Sequence, residues 1–334
     1  MSVTLKDIAQ KANVSVTTVS RVVNHNDTTI CSEETQNLIW SLVDELGYKA
    51  KRKQAGQVGK SEYKIGYVLG QSVDTAYDPF YSMILKGIEA EAVSTGVTLA
   101  FGCFTPGLYR PEAFKKILED SQVNTVIYMS VEKELLALLI DHQVDLVVAG
   151  VEMMSAIPEG ADYVGVNFYT DTLKWLQTKV LNRYDRVGYV GNPHTGRYKA
   201  YLDAHKLMNK PLNPDYRILI DGWKTDAAKI AVLDYLDSGK ELPEVFFCPS
   251  DRLAVGVMIA LRERGIDVPG RVKVLGFDNI EMAEYVSPRL TTIEVPGYNI
   301  GRMAVRAALA RVTGERDYPV QFIMPTHFVE RESL

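Results

Sequence analysis

The chain has 334 residues, of which 46% are hydrophobic and 24% are charged, a composition that excludes an intrinsically disordered protein. It contains no apolar run of about 18 residues and no N-terminal apolar segment of the signal-peptide type. We therefore expect a cytoplasmic protein that does not span a membrane. The first 60 residues hold eight Lys or Arg against six Asp or Glu, and the remainder holds 29 against 36. This division predicts a small basic module that contacts phosphate, joined to an acidic body that does not.

Residues 4–24 have the pattern of two short amphipathic helices. Thr4 with Asp7 three positions later is a capping box, and the apolar residues behind it recur at helical spacing: Leu5, Ile8, Ala9 and Ala12. Ser15 predicts the start of a second helix, whose inner face would be Val19, Val22 and Val23. Two such helices joined by a tight turn predict a helix-turn-helix, with an ordinary helical hairpin as the alternative.

The outer face of the second helix is polar. Its residues at steps of three and four are Thr17, Ser20, Arg21 and Asn24. An arginine can donate two hydrogen bonds to guanine, and hydroxyl groups can contact base edges or phosphates. This face therefore favours insertion into the major groove of DNA.

Three segments carry a resemblance to a known family: Thr4-Leu-Lys-Asp-Ile-Ala, Val14-Ser and Thr18-Val-Ser-Arg-Val-Val-Asn. Together they resemble the opening of the LacI/GalR family of bacterial transcriptional repressors. In that family the two residues after the Val-Ser turn choose the operator, which implies this role for Val16 and Thr17. With the basic run that follows, the DNA-contacting candidates are Thr4, Val16, Thr17, Ser20, Arg21, Asn24, Lys51 and Arg52.

A third helix is predicted after Ser32. It would bury Leu38, Leu42 and Leu46 and end at Gly47, which completes an all-α headpiece over residues 1–48.

Residues 49–63 lack apolar periodicity and are predicted to form a linker. In the family this linker becomes a hinge helix that inserts a leucine into the minor groove. Gln57 stands near that position in this chain. Three roles of the linker therefore stay open. Val58 could form the wedge after a shift of one residue, the linker could bind through phosphate contacts alone, or it could be a flexible tether.

From residue 64, short apolar runs alternate with amphipathic segments, which predicts α/β units with parallel sheets covered on both faces. The resemblance implies two α/β lobes with parallel sheets, a periplasmic binding protein-like body over residues 64–334. Lobe 1 would comprise about 64–166 and 295–321, and lobe 2 about 167–294 and 322–334. The chain would cross between the lobes at 164–167, 293–296 and 320–323.

Ligands of open α/β sheets bind at the carboxyl ends of strands, so residues that follow predicted strands are candidates for an effector site. In lobe 1, Asp78 is expected to accept sugar hydroxyls, and Phe80 or Tyr81 to stack on a sugar ring. Packing of the helix start is the alternative for both rings.

In lobe 2 the loop 191–197 is similar to a phosphate-binding Walker loop. It has Arg197 at the lysine position and Tyr198 at the Ser/Thr position, which disfavours nucleotide hydrolysis. The resemblance instead implies that Arg197 donates to effector hydroxyls or a carboxylate, with an ion-paired structural arginine as the alternative.

Further candidates follow later strands. Trp223 offers a platform for a pyranose ring, with a core tryptophan as the alternative. In Pro249-Ser-Asp, Asp251 is expected to cap the next helix and Ser250 to face the ligand. Gly276-Phe-Asp-Asn resembles a family element in which Asp278 takes a pair of sugar hydroxyls. The effector candidates are Asp78, Phe80, Arg197, Trp223, Ser250 and Asp278.

Together with these residues, the resemblance implies a transcriptional repressor of a carbohydrate-utilisation operon. It would bind operator DNA as a homodimer and be released by a small sugar, with a galactoside favoured. Catalytic motifs and metal-spaced His or Cys clusters are absent from the sequence, so no enzyme activity, metal or cofactor is predicted. The alternatives are a catabolite-type regulator that responds to a sugar phosphate or a phosphocarrier protein, and a non-regulatory sugar-binding protein.

Overall fold

The computed structural model describes residues 5–25, 31–46, 63–70, 78–104, 111–129, 133–142, 144–152 and 157–334. The chain divides into two compact units, residues 1–59 and residues 60–334. The linker predicted at 49–63 lies outside the described residues except for Tyr63. Among the helices that the structure describes, none combines the length and the apolar composition needed to span a bilayer.

The first unit is a helical headpiece built from α1 (Leu5–Ala12), α2 (Val16–His25) and α3 (Glu33–Glu45). The Ser15 hydroxyl accepts a hydrogen bond from the Thr18 amide at 2.9 Å, as the capping prediction requires. Asn13 lies in the left-handed region with φ 52°, which an asparagine tolerates in the tight turn between the helices. The helix-turn-helix prediction is confirmed.

The headpiece core contains Ile8, Ala9, Ala12, Val19, Val22, Val23, Ile39, Leu42 and Val43. The prediction for the third helix was wrong at Leu38, which is 46% exposed. Leu42 is buried and Leu46 packs against this core as expected, while Ile39 and Val43, four residues apart, take the other inward positions. The predicted helix end at Gly47 lies outside the described residues.

Several predicted DNA contacts fall outside this description. Thr4, Lys51, Arg52, Gln57 and Val58 lie outside the described residues. The structure places Thr17, Ser20, Arg21 and Asn24 within α2, but their side chains lie outside what it describes. Val16, at the start of α2, is 41% exposed.

The second unit contains two six-stranded sheets in the described ranges. Lobe 1 has the strand order β11-β5-β4-β3-β1-β2 and lobe 2 the order β12-β10-β9-β8-β6-β7. The strands are β1 (Lys64–Leu69), β2 (Thr98–Phe104), β3 (Thr125–Met129), β4 (Asp145–Ala149), β5 (Asp162–Gly165), β6 (Val187–Gly191), β7 (Arg217–Leu219), β8 (Val245–Phe247), β9 (Lys273–Asp278), β10 (Thr291–Glu294), β11 (Gln321–Ile323) and β12 (His327–Val329).

Helices cover these sheets. They are α4 (Pro79–Thr95), α5 (Pro111–Ser121), α6 (Lys133–Asp141), α7 (Phe168–Trp175), α8 (Gly196–Leu207), α9 (Thr225–Asp237), α10 (Asp251–Glu263), α11 (Met282–Tyr285) and α12 (Gly297–Val312). Strand β3 is buried at every position, as expected for a parallel strand with both sheet faces covered. The parallel α/β prediction is confirmed, with β12 pairing antiparallel to β10.

The chain passes between the lobes after β5, after β10 and after β11. The third passage differs from the sequence-based boundary at 321, because residues 321–323 form β11 and pair with β5 in the sheet of lobe 1. Lobe 1 therefore extends through Ile323, and β12 begins the last segment of lobe 2.

Two helices of lobe 1 pack at unusually short range through glycines. A Cβ atom on Gly301 of α12 would lie 2.0 Å from the backbone oxygen of Ile84, and one on Gly87 of α4 would lie 2.0 Å from the backbone oxygen of Tyr298. Next to this contact the buried carboxylate of Glu91 accepts hydrogen bonds from Arg302 Nε and Arg306 Nε at 2.7 and 2.6 Å. The pair of helices thus permits no side chain at either glycine.

Gly301→Ala should destabilise the body because the added methyl group must push apart two helix backbones. We expect a loss of about 1–3 kcal/mol in the free energy of unfolding, measured by urea titration with circular dichroism. Gly297→Ala in the same helix is the control, since its Cβ would meet the Met83 side chain at 3.1 Å rather than backbone. Equal losses in the two variants would contradict the close approach.

Candidate functional site

Side chains from both lobes of the body meet around one buried arginine, Arg197. Thr195 caps α8 by accepting from the Tyr198 amide at 3.1 Å, and Arg197 is the second residue of that helix. The guanidinium donates from Nε to Glu152 Oε1 at 2.9 Å and from Nη1 to the Pro249 carbonyl at 2.7 Å. Its Nη1 lies 3.8 Å from Asp278 Oδ1. A cation of lobe 2 is therefore held between a carboxylate of each lobe.

Aromatic rings surround the same guanidinium. Its central carbon lies 4.6 Å from the ring centroid of Phe168, 4.7 Å from that of Trp223 and 5.2 Å from that of Phe277. Cation–π attraction stabilises a desolvated arginine in such surroundings by roughly 0.5–2 kcal/mol for each contact. Trp223 also packs against the hydrophobic core of lobe 2, so both the ligand-platform and the core interpretations have a physical basis.

Asp278 ends β9 at a bend in the left-handed region, with φ 110° for Asp278 and 57° for Asn279. Burial raises the pKa of Asp278 well above the usual carboxyl value, although Arg197 opposes this shift. Asn279 Oδ1 accepts a hydrogen bond from Arg331 Nη2 at 2.8 Å, so this side chain anchors the C-terminal segment.

Ser250 and Asp251 differ from the roles expected from the sequence. Ser250 caps α10, with its hydroxyl accepting from the Leu253 amide at 3.3 Å. Asp251 is fully buried and accepts from the Ile280 amide at 2.9 Å and from the Thr292 hydroxyl at 2.6 Å. The prediction of Asp251 as the helix cap was wrong, because its carboxylate turns inward to hold the backbone that follows Asp278.

In lobe 1, Asp78 caps α4 by accepting from the Phe80 amide at 2.9 Å. Its other oxygen accepts from Arg252 Nη1 of lobe 2 at 3.1 Å. Phe80 is 7% exposed and belongs to the hydrophobic core, so it does not present a ring to a ligand as proposed from the sequence. Tyr81 lies among the charged groups instead: burial raises the pKa of its phenol, and Asp78 adds to the shift.

Sequence reasoning missed three residues of this site: Glu152, Arg252 and Phe168. Glu152 follows β4 and Phe168 follows β5, which is the same end-of-strand signal that selected other candidates. We define the interlobe cluster as Asp78, Glu152, Arg197, Trp223, Arg252 and Asp278. In the part of the chain that the structure describes, no group of three or more His, Cys, Asp or Glu is placed to hold a metal ion.

Two family models match the chain. Residues 4–51 match the model of bacterial regulatory proteins of the lacI family, and residues 180–334 match a periplasmic binding protein-like domain. The transcriptional repressor PurR of Vibrio parahaemolyticus is 30% identical over 348 residues, which covers 99% of this chain and 98% of that protein. The chain belongs to the lacI family of bacterial regulatory proteins. It is a DNA-binding transcriptional repressor of that family.

Solved structures of transcriptional regulators share the fold of this repressor. A transcriptional regulator CelR–cellobiose complex superposes with a TM-score of 0.73 at 23% identity and covers 99% of this chain and 100% of its own. The lac repressor dimer bound to operator and the anti-inducer ONPF superposes with a TM-score of 0.67 at 21% identity, covering 100% of this chain and 99% of its own.

The buried carboxyl of Asp251 should give this lacI-family repressor a distinctive pH dependence. Burial raises the pKa of Asp251 to about 7, whereas an unfolded aspartate titrates near pH 4. Between these values the folded state binds more protons than the unfolded state, so stability falls as pH rises. From pH 5 to pH 8, wild type should lose roughly 2–3 kcal/mol more unfolding free energy than Asp251→Asn, measured by urea titration.

The asparagine can keep both hydrogen bonds if the Thr292 hydroxyl reverses its direction and accepts. Asp226→Asn, at an exposed position of α9, is the control and should retain the wild-type pH profile. A pH dependence of Asp251→Asn as steep as that of wild type would show that Asp251 does not titrate in this range.

Proposed function

We propose that this repressor controls a carbohydrate-utilisation operon, binds a palindromic operator as a homodimer, and is released by a small neutral sugar. Galactosides are the first candidates. The observation that carries the proposal is the interlobe cluster: a buried arginine between carboxylates and aromatic rings, at the boundary of two lobes whose relative position an effector can change.

The chemistry of the cluster suits a neutral polyhydroxylated ligand. Three carboxylates, Asp78, Glu152 and Asp278, stand against two guanidinium groups, Arg197 and Arg252. Sugar hydroxyls can donate to carboxylates and accept from guanidinium groups, so they can replace the present pairings one by one. A sugar phosphate would instead add negative charge where carboxylates are already in excess. The cellobiose bound to CelR is a neutral sugar in a regulator of this fold.

The proposed mechanism connects this cluster to DNA. Two ion pairs join the lobes: Glu152 with Arg197, and Asp78 with Arg252. A sugar that takes over these hydrogen bonds stabilises a different arrangement of the lobes, and the lobes of a dimer carry the headpieces. By linkage, the effector lowers operator affinity by the same factor by which the operator lowers effector affinity.

On the DNA side, we propose that α2 enters the major groove. The residues that the sequence predicts to face outward, Thr17, Ser20, Arg21 and Asn24, would contact bases and phosphates together with the exposed Val16. Thr4 and the basic residues Lys51 and Arg52 would contact the backbone. All of these residues except Arg52 lie in the segment 4–51 that matches the lacI-family model.

The test uses fluorescence anisotropy of the full-length protein on labelled DNA from upstream of its own and neighbouring genes. We expect binding that survives random competitor DNA and is lost on adding galactose or lactose but not glucose 6-phosphate. Failure to prefer any duplex over competitor, with or without sugars, would contradict the proposal. Release by glucose 6-phosphate alone would refute a neutral effector.

Two substitutions should separate the two activities. Arg21→Ala should lower operator affinity by roughly 10- to 100-fold, because a contact from arginine to a guanine contributes about 1–3 kcal/mol, while sugar-induced tryptophan quenching persists. Asp278→Ala should bind operator normally and lose the sugar response.

Arg262→Ala, an exposed arginine of α10 far along the chain from the headpiece, is the control and should change neither activity. A normal sugar response in Asp278→Ala would show that the assigned effector site is wrong.

A further inference from the structure

Glu152 connects the two lobes through both oxygens of its carboxylate. Oε1 accepts from Arg197 Nε at 2.9 Å and Oε2 accepts from the Gly196 amide at 2.6 Å. Gly196 is the first residue of α8, so a side chain of lobe 1 is seated on a helix N-terminus of lobe 2. The Glu152 side chain is 16% exposed, so its contact with lobe 2 is largely shielded from water.

This arrangement is the one by which proteins bind oxyanions. A backbone amide at a helix N-terminus and an adjacent guanidinium donate to two oxygens of the same group, and the helix dipole adds attraction for negative charge. In this protein the two oxygens belong to Glu152. The chain thus supplies its own anion to the place where the carboxylate or phosphate of a ligand would otherwise bind.

An anionic ligand would have to displace that carboxylate and then remain close to it. It would also lie near Asp278, on the other side of Arg197. The negative charge of the ligand would be repelled strongly by the carboxylates of Glu152 and Asp278, because the site is poorly hydrated. A neutral hydroxyl meets no such repulsion, because it can accept from Arg197 and donate to Glu152 at the same time.

We propose that Glu152 is a specificity-determining residue that excludes anionic effectors from the interlobe cluster and admits neutral ones. This inference rests on the proposed function, in which the cluster binds the effector. It assigns the discrimination to one side chain and not to the general acidity of the body.

The test measures binding of inorganic phosphate to the full-length protein by isothermal titration calorimetry. Glu152→Gln removes the charge and keeps the shape and one acceptor, and it should bind phosphate at least about tenfold more tightly than wild type. Glu152→Asp keeps the charge and should resemble wild type. Glu159→Gln, an exposed acid of the same lobe, is the matched control and should also resemble wild type.

Glu152→Ala provides the same neutralisation if the glutamine variant does not fold, and it should show the same gain. The gain should disappear in the double variant Glu152→Gln/Arg197→Met, which places the phosphate at this site. Equal phosphate affinities in wild type and the neutralised variants, an equal gain in Glu152→Asp, or a gain that survives loss of Arg197 would each overturn the inference. Operator release by neutral sugars is measured on wild type, so failure of the proposed function is recognised separately.

Discussion

The ion pair between Arg197 and Glu152 is the interaction on which the rest of the site depends. A guanidinium buried among three aromatic rings needs a counter-ion, because an unpaired charge in such surroundings would be strongly destabilising. The nearer carboxylate comes from the other lobe. Movement of the lobes therefore changes how the charge of Arg197 is neutralised. Equally, a ligand that takes over the pairing of Arg197 would alter the relative position of the lobes.

The fold was predictable wherever the signal was local. Apolar spacing, the Ser15 cap and the short tight turn identify the helix-turn-helix because each depends on neighbours within a few residues. Alternating apolar runs identify the parallel sheets for the same reason. The error at Leu38 arose because apolar residues at 38, 39, 42 and 43 admit two adjacent stripes, and only packing against α1 and α2 decides between them.

The site was predictable in part, since the ends of strands pointed to Arg197, Trp223 and Asp278. Their partners were not, because Glu152 and Arg197 are 45 residues apart and Asp78 and Arg252 are 174 apart. Neighbours in sequence were also confused: Ser250 and Asp251 both suit a cap, and Phe80 and Tyr81 both suit stacking. Phe80 is buried whereas Tyr81 is half-buried, and the buried pair Ser250 and Asp251 differ in their hydrogen-bond partners. Both differences depend on the assembled lobes.

The two halves of the site differ in how firmly they are held. Asp251 fixes the bend at Asp278 through the Ile280 amide and the Thr292 hydroxyl, all inside lobe 2. Within the interlobe cluster, Asp78 and Glu152 of lobe 1 reach the other lobe through carboxylates on guanidinium groups and a backbone amide, contacts that hydroxyl groups can replace. In the proposed function, a ligand would therefore meet a preorganised surface on lobe 2 and exchangeable partners on lobe 1. Because an effector acts only through its differential affinity for two arrangements, the proposed function requires the exchange to occur at these interlobe pairs, the contacts that separation of the lobes would break.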